Sequence, residues 1–300
     1  MSDAIEVGHL RKTYGDLVAV DDVTFSVGEG EFFGILGPNG AGKTTALEMI
    51  EGLRKPDGGE VRLLGEKPWP RNSALLPRMG VQLQASGFFE RLTAREQIRT
   101  FATLYGVPTA RADEWLERVG LSEKANTAWE KLSGGQVQRL SIASALVHDP
   151  EVVFLDEPTA ALDPQARRNL WDLLGTLNES GRTVVITTHY MDEAEALCDR
   201  VAIIDHGRLL RMDTPAALVR GLDAGVHIYV APEALTVEQA RQIPGVNTAH
   251  DDGSSLVIQT QAPSGVLAAL ANLDALKGLR VKGATLEDVF LTLTGREYRA

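Results

Sequence analysis

The sequence predicts an α/β fold. A core domain carries a parallel sheet, with an antiparallel β section before it and a helical insertion within it, and a small α+β domain follows. Three observations point there. Apolar runs at Phe32–Leu36, Val152–Leu155 and Thr183–Thr188 have few polar breaks, as strands buried on both faces do. Helical periodicity fills residues 86–150. From about residue 222 the texture changes to short strands and helices parted by turn signals.

Composition sets the outer limits. Three hundred residues allow roughly two domains. The formal net charge of −11 argues against a nucleic-acid surface, which needs a Lys/Arg-rich face. Cys198 is the one cysteine, which excludes an internal disulfide and suits a reducing compartment. Met1–Glu6 lacks the basic-then-apolar pattern of a signal peptide. No apolar run reaches the roughly 18 residues of a membrane span. Work at a membrane would therefore need a partner.

Taken in order, residues 5–31 alternate as antiparallel strands around turns at Tyr14-Gly15-Asp16 and Gly28-Glu29-Gly30. Tyr14 on spacing alone is either a base-stacking ring or an ordinary half-buried strand tyrosine. Phe32–Leu36 then reads as a buried strand. It runs into Gly37-Pro38-Asn39-Gly40-Ala41-Gly42-Lys43-Thr44-Thr45, which fits G-x-x-x-x-G-K-S/T and opens a helix. Glycines let such a loop turn tightly and aim its N–H groups inward, and the helix N-terminus adds partial positive charge. Lys43 is placed for the β- and γ-phosphates and the Thr44 hydroxyl for Mg2+. The stretch implies nucleoside triphosphate binding.

Met79–Gln84 reads as a strand ending in a polar residue, with Gln82 and Gln84 both near that end. Thr93 and Glu96 have capping-box spacing. Phe88 and Phe89 read as an exposed apolar pair. Further on, Leu132-Ser133-Gly134-Gly135-Gln136 places Ser133 as a helix N-cap. The two glycines leave first-turn N–H groups open to a large anion, although a capped helix without a ligand would explain the stretch taken alone. Val152–Leu155 runs into Asp156 and Glu157, at the strand end where open α/β sheets bind ligands. Asp156 suits Mg2+, and Glu157 suits a general base for water. Thr183–Thr188 runs into His189, and a hairpin at 201–210 closes the domain. In the last portion, strands are expected at 226–230, 255–260 and 279–282 and helices at 236–243, 265–273 and 285–291.

With these motifs in this order, residues 4 to about 221 resemble the ATP-binding subunit of an ABC transporter. The fold this implies is a P-loop ABC ATPase core with an antiparallel β subdomain and a helical insertion at about 86–150. The α+β portion, residues 222–300, is then an accessory domain. By that resemblance Gly37–Thr45 is the Walker A loop and Tyr14 the base-stacking aromatic. Gln84 is the Q-loop glutamine, preferred to Gln82 because the family's glutamine ends its strand. Ser133, Gly134, Gly135 and Gln136 belong to the signature motif. Asp156 is the Walker B aspartate, Glu157 the catalytic glutamate, Asp163 part of the D-loop and His189 the switch histidine. Thr44, Gln84 and Asp156 would hold Mg2+, and ATP is the implied substrate. The D-loop has alanine at Ala160-Ala161 where serine is common.

Residues 285–296 are similar to the tail of daunorubicin-type drug-resistance exporters. The family resemblance implies a head-to-tail homodimer of ATPase chains, and the tail likeness a separate multi-span permease, at the cytoplasmic face of the cell membrane. Its implied cargo is a drug-like or other hydrophobic compound, with antibiotic resistance as the role. A lipid or polysaccharide cargo is the alternative, as is a soluble ABC ATPase acting on ribosomes or DNA. One cassette, about 90 residues between Gly42 and Ser133, and an acidic chain disfavour the soluble reading. A non-hydrolysing regulatory module would lack Glu157 or His189, and both are present.

Overall fold

The computed structural model describes residues 2–82, 87–160, 162–222 and 225–295. Two compact units part between Pro215 and Ala216, six residues before the change in sequence texture.

In the first unit, β1 (Asp3–Tyr14) and β2 (Leu17–Gly28) pair antiparallel. After β3 (Phe32–Leu36) and α1 (Lys43–Ile50), β4 (Gly58–Leu63) joins them in the order β2-β1-β4. Val7, Leu10, Val23, Phe25 and Val27 point inward from this small sheet, which gives the period-2 pattern of a half-buried sheet.

The second sheet organises the unit. It takes β3, β5 (Met79–Val81), β6 (Val152–Asp156), β7 (Thr183–Thr188), β8 (Arg200–Asp205) and β9 (Arg208–Asp213) in the order β5-β6-β7-β3-β8-β9. Every pairing is parallel except β8 with β9. Helices cover it, so its central strands are buried along their length and read as unbroken apolar runs. Between β5 and β6 stand α2 (Ala94–Leu104), α3 (Arg111–Arg118) and α4 (Gly134–Leu146), the expected insertion. Thr93 and Glu96 complete both halves of the capping box on α2. Beyond β6 come α5 (Pro164–Glu179) and, between β7 and β8, α6 (Met191–Leu197); α7 (Pro215–Arg220) follows β9 and, from Ala216 on, belongs to the second unit.

The second unit is an antiparallel sheet with helices. Its strands are β10 (Val226–Val230), β11 (Val246–Asp251), β12 (Leu256–Thr260) and β13 (Arg280–Lys282), in the order β11-β12-β10-β13. With them go α8 (Val237–Arg241), α9 (Pro263–Asn272) and α10 (Leu286–Thr294). Strand β11 escapes a reading by pattern because only Ala249 is buried in it. Pro263 opens α9 rather than breaking the chain before it. At a first helical position the missing N–H costs nothing. Among the described residues no helix is long and apolar enough to cross a membrane.

Candidate nucleotide site

Three neighbouring strands, β6, β7 and β3, end at one level: Asp156 lies beside Thr187, and Leu36 beside Thr188. Asp156, Glu157, His189 and the loop that carries Lys43 follow those carboxyl ends, where the loops of an open parallel sheet diverge.

The loop from β3 to α1 turns through Gly42, at φ 100° as the N-cap of α1. A Cβ at Gly42 would drive into the Ala19 carbonyl oxygen, and one at Gly37 into that of Ile204. Close backbone approach requires both glycines, and the left-handed dihedral adds to the requirement at Gly42. Lys43 is only 5% exposed. Its Nζ donates to the Gly37 carbonyl at 2.9 Å and that of Pro38 at 3.2 Å, and lies 3.2 Å from Glu157 Oε1. A buried ammonium needs such partners. Asn39, Gly40, Ala41, Thr44 and Thr45 line a cavity of about 350 Å3 together with Tyr14. Tyr14 is 40% exposed and its ring lies 5.6 Å from Lys12 Nζ and 5.4 Å from the Arg54 guanidinium. An exposed, cation-flanked ring at the cavity mouth fits a stacking surface better than a core tyrosine.

Deeper in, Thr44 Oγ1 donates to Asp156 Oδ2 at 3.0 Å, and the Thr187 hydroxyl donates to Asp156 Oδ1. Glu157 follows in a left-handed conformation, φ 46°, a strained state for a residue with a Cβ that its surroundings must enforce. Its N–H donates to Thr187 Oγ1 at 3.0 Å and its carbonyl accepts from Gln138 Nε2 at 3.2 Å. Its side chain lies between Lys43 and His189, whose Nδ1 is 3.1 Å from Oε2. Lys43 from the start of α1 and His189 from the end of β7 thus converge on the Glu157 carboxylate at the end of β6.

The remaining predicted residues divide. Ser133 and Gln136 form a reciprocal capping box on α4, so their polar groups serve each other. Gly134 lines a cavity of about 700 Å3 with Thr44, Gln82, Asp156 and Glu157. Asp163 caps α5 by accepting from the N–H groups of Gln165 and Ala166 at 3.0 and 2.9 Å. Gln84 and Ala161 lie outside the described residues. Gln82, the glutamine not chosen, sits just past β5 and donates to the Asp156 carbonyl at 2.9 Å. Its Oε1 is buried without a hydrogen bond.

Two features differ from the sequence reading. Phe88 is 7% exposed and packs on Trp129, ring centroids 5.4 Å apart, whereas Phe89 is 44% exposed. The expected exposed pair is a single exposed ring, because Phe88 reaches back into the helical insertion. Glu51 was not singled out at all. Its carboxyl, at the end of α1, is pushed up to about 8 by burial first, then by the charges of Asp156 and Glu48. A glutamate amid Met49-Ile50 and Gly52-Leu53 gives no sign of this, since burial here depends on what packs from elsewhere.

Fold and site together define an α/β nucleotide cassette of the phosphate-loop kind. The family model described as "ABC transporter" matches residues 20–160. A "Nod factor export ATP-binding protein I" from Paraburkholderia xenovorans is 40% identical over 98% of both chains. One from Sinorhizobium fredii is 39% identical over 99% of this chain and 87% of its own. A dimeric ATP-binding cassette solved in a post-hydrolysis state with ADP and Pi superposes with TM-score 0.65 at 32% identity, covering 70% of this chain and 98% of that one. A subunit of an ABC transporter complex from Clostridium perfringens gives TM-score 0.64 at 28% identity, covering 74% and 95%. The chain belongs to the ABC transporter ATP-binding proteins, which hydrolyse ATP in support of transport. These relatives carry Nod factor export in their names, a different branch from the daunorubicin-type one read from the tail.

Proposed function

We propose that this chain hydrolyses ATP with Glu157 as general base, Lys43 on the β- and γ-phosphates and His189 orienting the γ-phosphate side. The carrying observation is the convergence of Lys43 and His189 on one Glu157 carboxylate, each within 3.2 Å. When a γ-phosphate takes Lys43, the Glu157 carboxylate is released to accept a proton from water. The strained Glu157 backbone, held by Thr187 and Gln138, keeps that carboxylate aimed. Tyr14 stacks on the base, and the N–H groups of Gly37–Thr45 cradle the phosphates. Thr44 and Asp156 offer hard oxygen donors 3.0 Å apart, which suits Mg2+. Among the described residues no three His, Cys, Asp or Glu side chains form a cage, as fits an ion that draws its other ligands from phosphate and water. Mg2+ supplies neutralisation of phosphate charge there. Gln84 stays assigned to the Mg2+-sensing role.

The capping box takes the Gln136 N–H and leaves those of Gly134 and Gly135 at the start of α4 to meet an anion, and neither capping hydrogen bond of Ser133 involves Lys43. We infer a head-to-tail homodimer in which Ser133, Gly134, Gly135 and Gln136 of one chain complete the site held by Lys43 of the other, with Asp163 at the seam. Phe89, exposed at 44%, then helps grip a multi-span permease, so the subunit works peripherally at the cytoplasmic face of the membrane. The relatives' names carry Nod factor export, so the cargo proposed for export is of that kind rather than drug-like. Residues 222–300 serve as an accessory domain. A mixed dimer tests the composite site. Lys43→Ala and Ser133→Arg chains, inactive alone, should regain part of the ATPase activity when combined, because one site is then intact. A dimer of wild type with the double variant has one damaged half in each cross-chain site and should stay silent, whereas a site built within one chain would leave its wild-type half active. Silence in every mixture, with heterodimers confirmed, would count against a cross-chain site.

A further inference from the structure

Glu193 is fully buried on the seven-residue α6 that follows His189-Tyr190. No step in the proposed hydrolysis uses it. A carboxyl carried into a core costs free energy unless its surroundings hold it, and an apolar side chain would pack there more cheaply. Its partners come from two other parts of the site. Trp171 Nε1, on α5, donates to Glu193 Oε1 at 3.1 Å. Thr159, in the segment between Glu157 and Asp163, is fully buried too. Thr159 Oγ1 and Glu193 Oε2 are both buried without a well-formed hydrogen bond. The hydroxyls of Thr188 and Thr159 nonetheless lie near enough to hold down a carboxyl that burial pushes up.

The same two helices are joined twice more around His189. The Arg167 guanidinium of α5 lies 4.3 Å above the Tyr190 ring and 3.9 Å from Asp192. The Tyr190 ring in turn lies 4.1 Å from that of His189, and the Tyr190 N–H donates to Thr188 Oγ1 at 2.9 Å. His189 therefore sits between β7, which sets its height, and α6, which Trp171 and Arg167 tie to α5. That helix is capped by Asp163.

We propose that Glu193 is a positioning residue: with Trp171 and Thr159 it forms a buried polar latch that fixes His189 against Glu157 and ties both to α5. The latch rests on the roles given above to Glu157 and His189. Its physical content is orientation, since small misplacements of a reacting group cost rate steeply. Movement of α5 then reaches His189 through Trp171 and Arg167 without passing through the phosphate loop.

Trp171→Phe removes one N–H donor and keeps an aromatic body. Glu193→Gln keeps an acceptor for Trp171, and Glu193→Ala removes the latch. Each is made alone and in a His189→Ala chain, with folding checked by thermal melting and nucleotide affinity by a fluorescent ATP analogue. Trp171→Phe and Glu193→Ala should lower kcat about tenfold while leaving nucleotide affinity within about twofold, the split expected when orientation rather than binding is lost. Glu193→Gln should recover most of the rate. In the His189→Ala chain, whose residual turnover is followed with radiolabelled ATP, the same changes should cost little more, because the residue being positioned is gone. Wild-type kcat in the folded single variants overturns the latch, as does an equal fold-loss with and without His189. If His189→Ala itself turns over at the wild-type rate, the reading of His189 fails and the latch falls with it. Should Glu193→Ala not fold, Trp171→Phe and Glu193→Gln decide alone.

Discussion

The two units of this chain are both α/β in composition, yet they bury different things. In the first, Lys43, Glu51, Gln97, His148, Thr187 and Glu193 are all largely removed from solvent. In the second, the buried cluster runs from Ile228 and Val230 to Leu256, Ile258, Val266 and Leu270, with Ser255 and Thr260 as its polar members. The first unit's parallel sheet ends three strands at one edge, so side chains from distant sequence meet there. The second unit's sheet is antiparallel throughout, and neighbouring strands finish at opposite edges. Burial of polar groups follows from that difference in topology, and chemistry follows burial, because a low-dielectric site strengthens each charge interaction.

Changing Glu157 to Gln should break the first unit's activity most. The amide keeps size and hydrogen bonding but cannot take a proton, so turnover should fall by roughly 10²-fold or more. ATP binding should persist, measured by equilibrium titration of the purified variant. Near-normal turnover would remove Glu157 from the general-base role.

Lys43→Ala should act on binding instead. Losing one charge-assisted phosphate contact, worth roughly 1.5–3 kcal/mol, weakens ATP about ten- to a hundredfold. The variant also frees Glu157 from its nearest cation. Titration with a non-hydrolysable ATP analogue checks this.

Glu51 sharpens the contrast through pH. Its folded value, about 8, stands above the ordinary 4.5, so the folded chain holds this proton more tightly than the unfolded one. That contribution to stability is complete below about pH 4.5 and is lost as pH rises through about 8. Glu51→Gln, neutral throughout, should flatten the fall in melting temperature between pH 6 and pH 8, as calorimetry would show. An unchanged slope would mean that another group carries it.

The smallest effect on ATP handling is expected from the second unit. Ile258→Ala empties part of a largely apolar core and should cost that unit about 2–5 kcal/mol, visible as an earlier thermal transition. Turnover should not change. A matching loss of ATPase activity would show that the two units are not separable in function.

Much of the site was legible without coordinates. The loop Gly37–Thr45, the Asp156-Glu157 pair and His189 each follow an apolar run, and a chain can bury such a run only as an inner strand of a covered sheet. Local physics also placed Thr93 and Ser133 as caps, since their orphan N–H groups and the returning Glu96 and Gln136 are three residues apart. Strand β11 and the start of α9 at Pro263 were not legible. A polar edge strand has no apolar period, and proline both ends and opens helices.

The sequence by itself determined the family, the class of chemistry and the residue types that carry it, because short motifs encode local backbone geometry and charge. The tertiary structure alone decided which side chains meet. Phe88 and Phe89 are neighbours with the same chemistry, yet one packs on Trp129 and the other faces water. Glu51 and Glu193 look like surface acids in the sequence but are buried, one near Asp156 and the other against Trp171. Burial is a property of what arrives from elsewhere in the chain, and no spacing within a stretch records it.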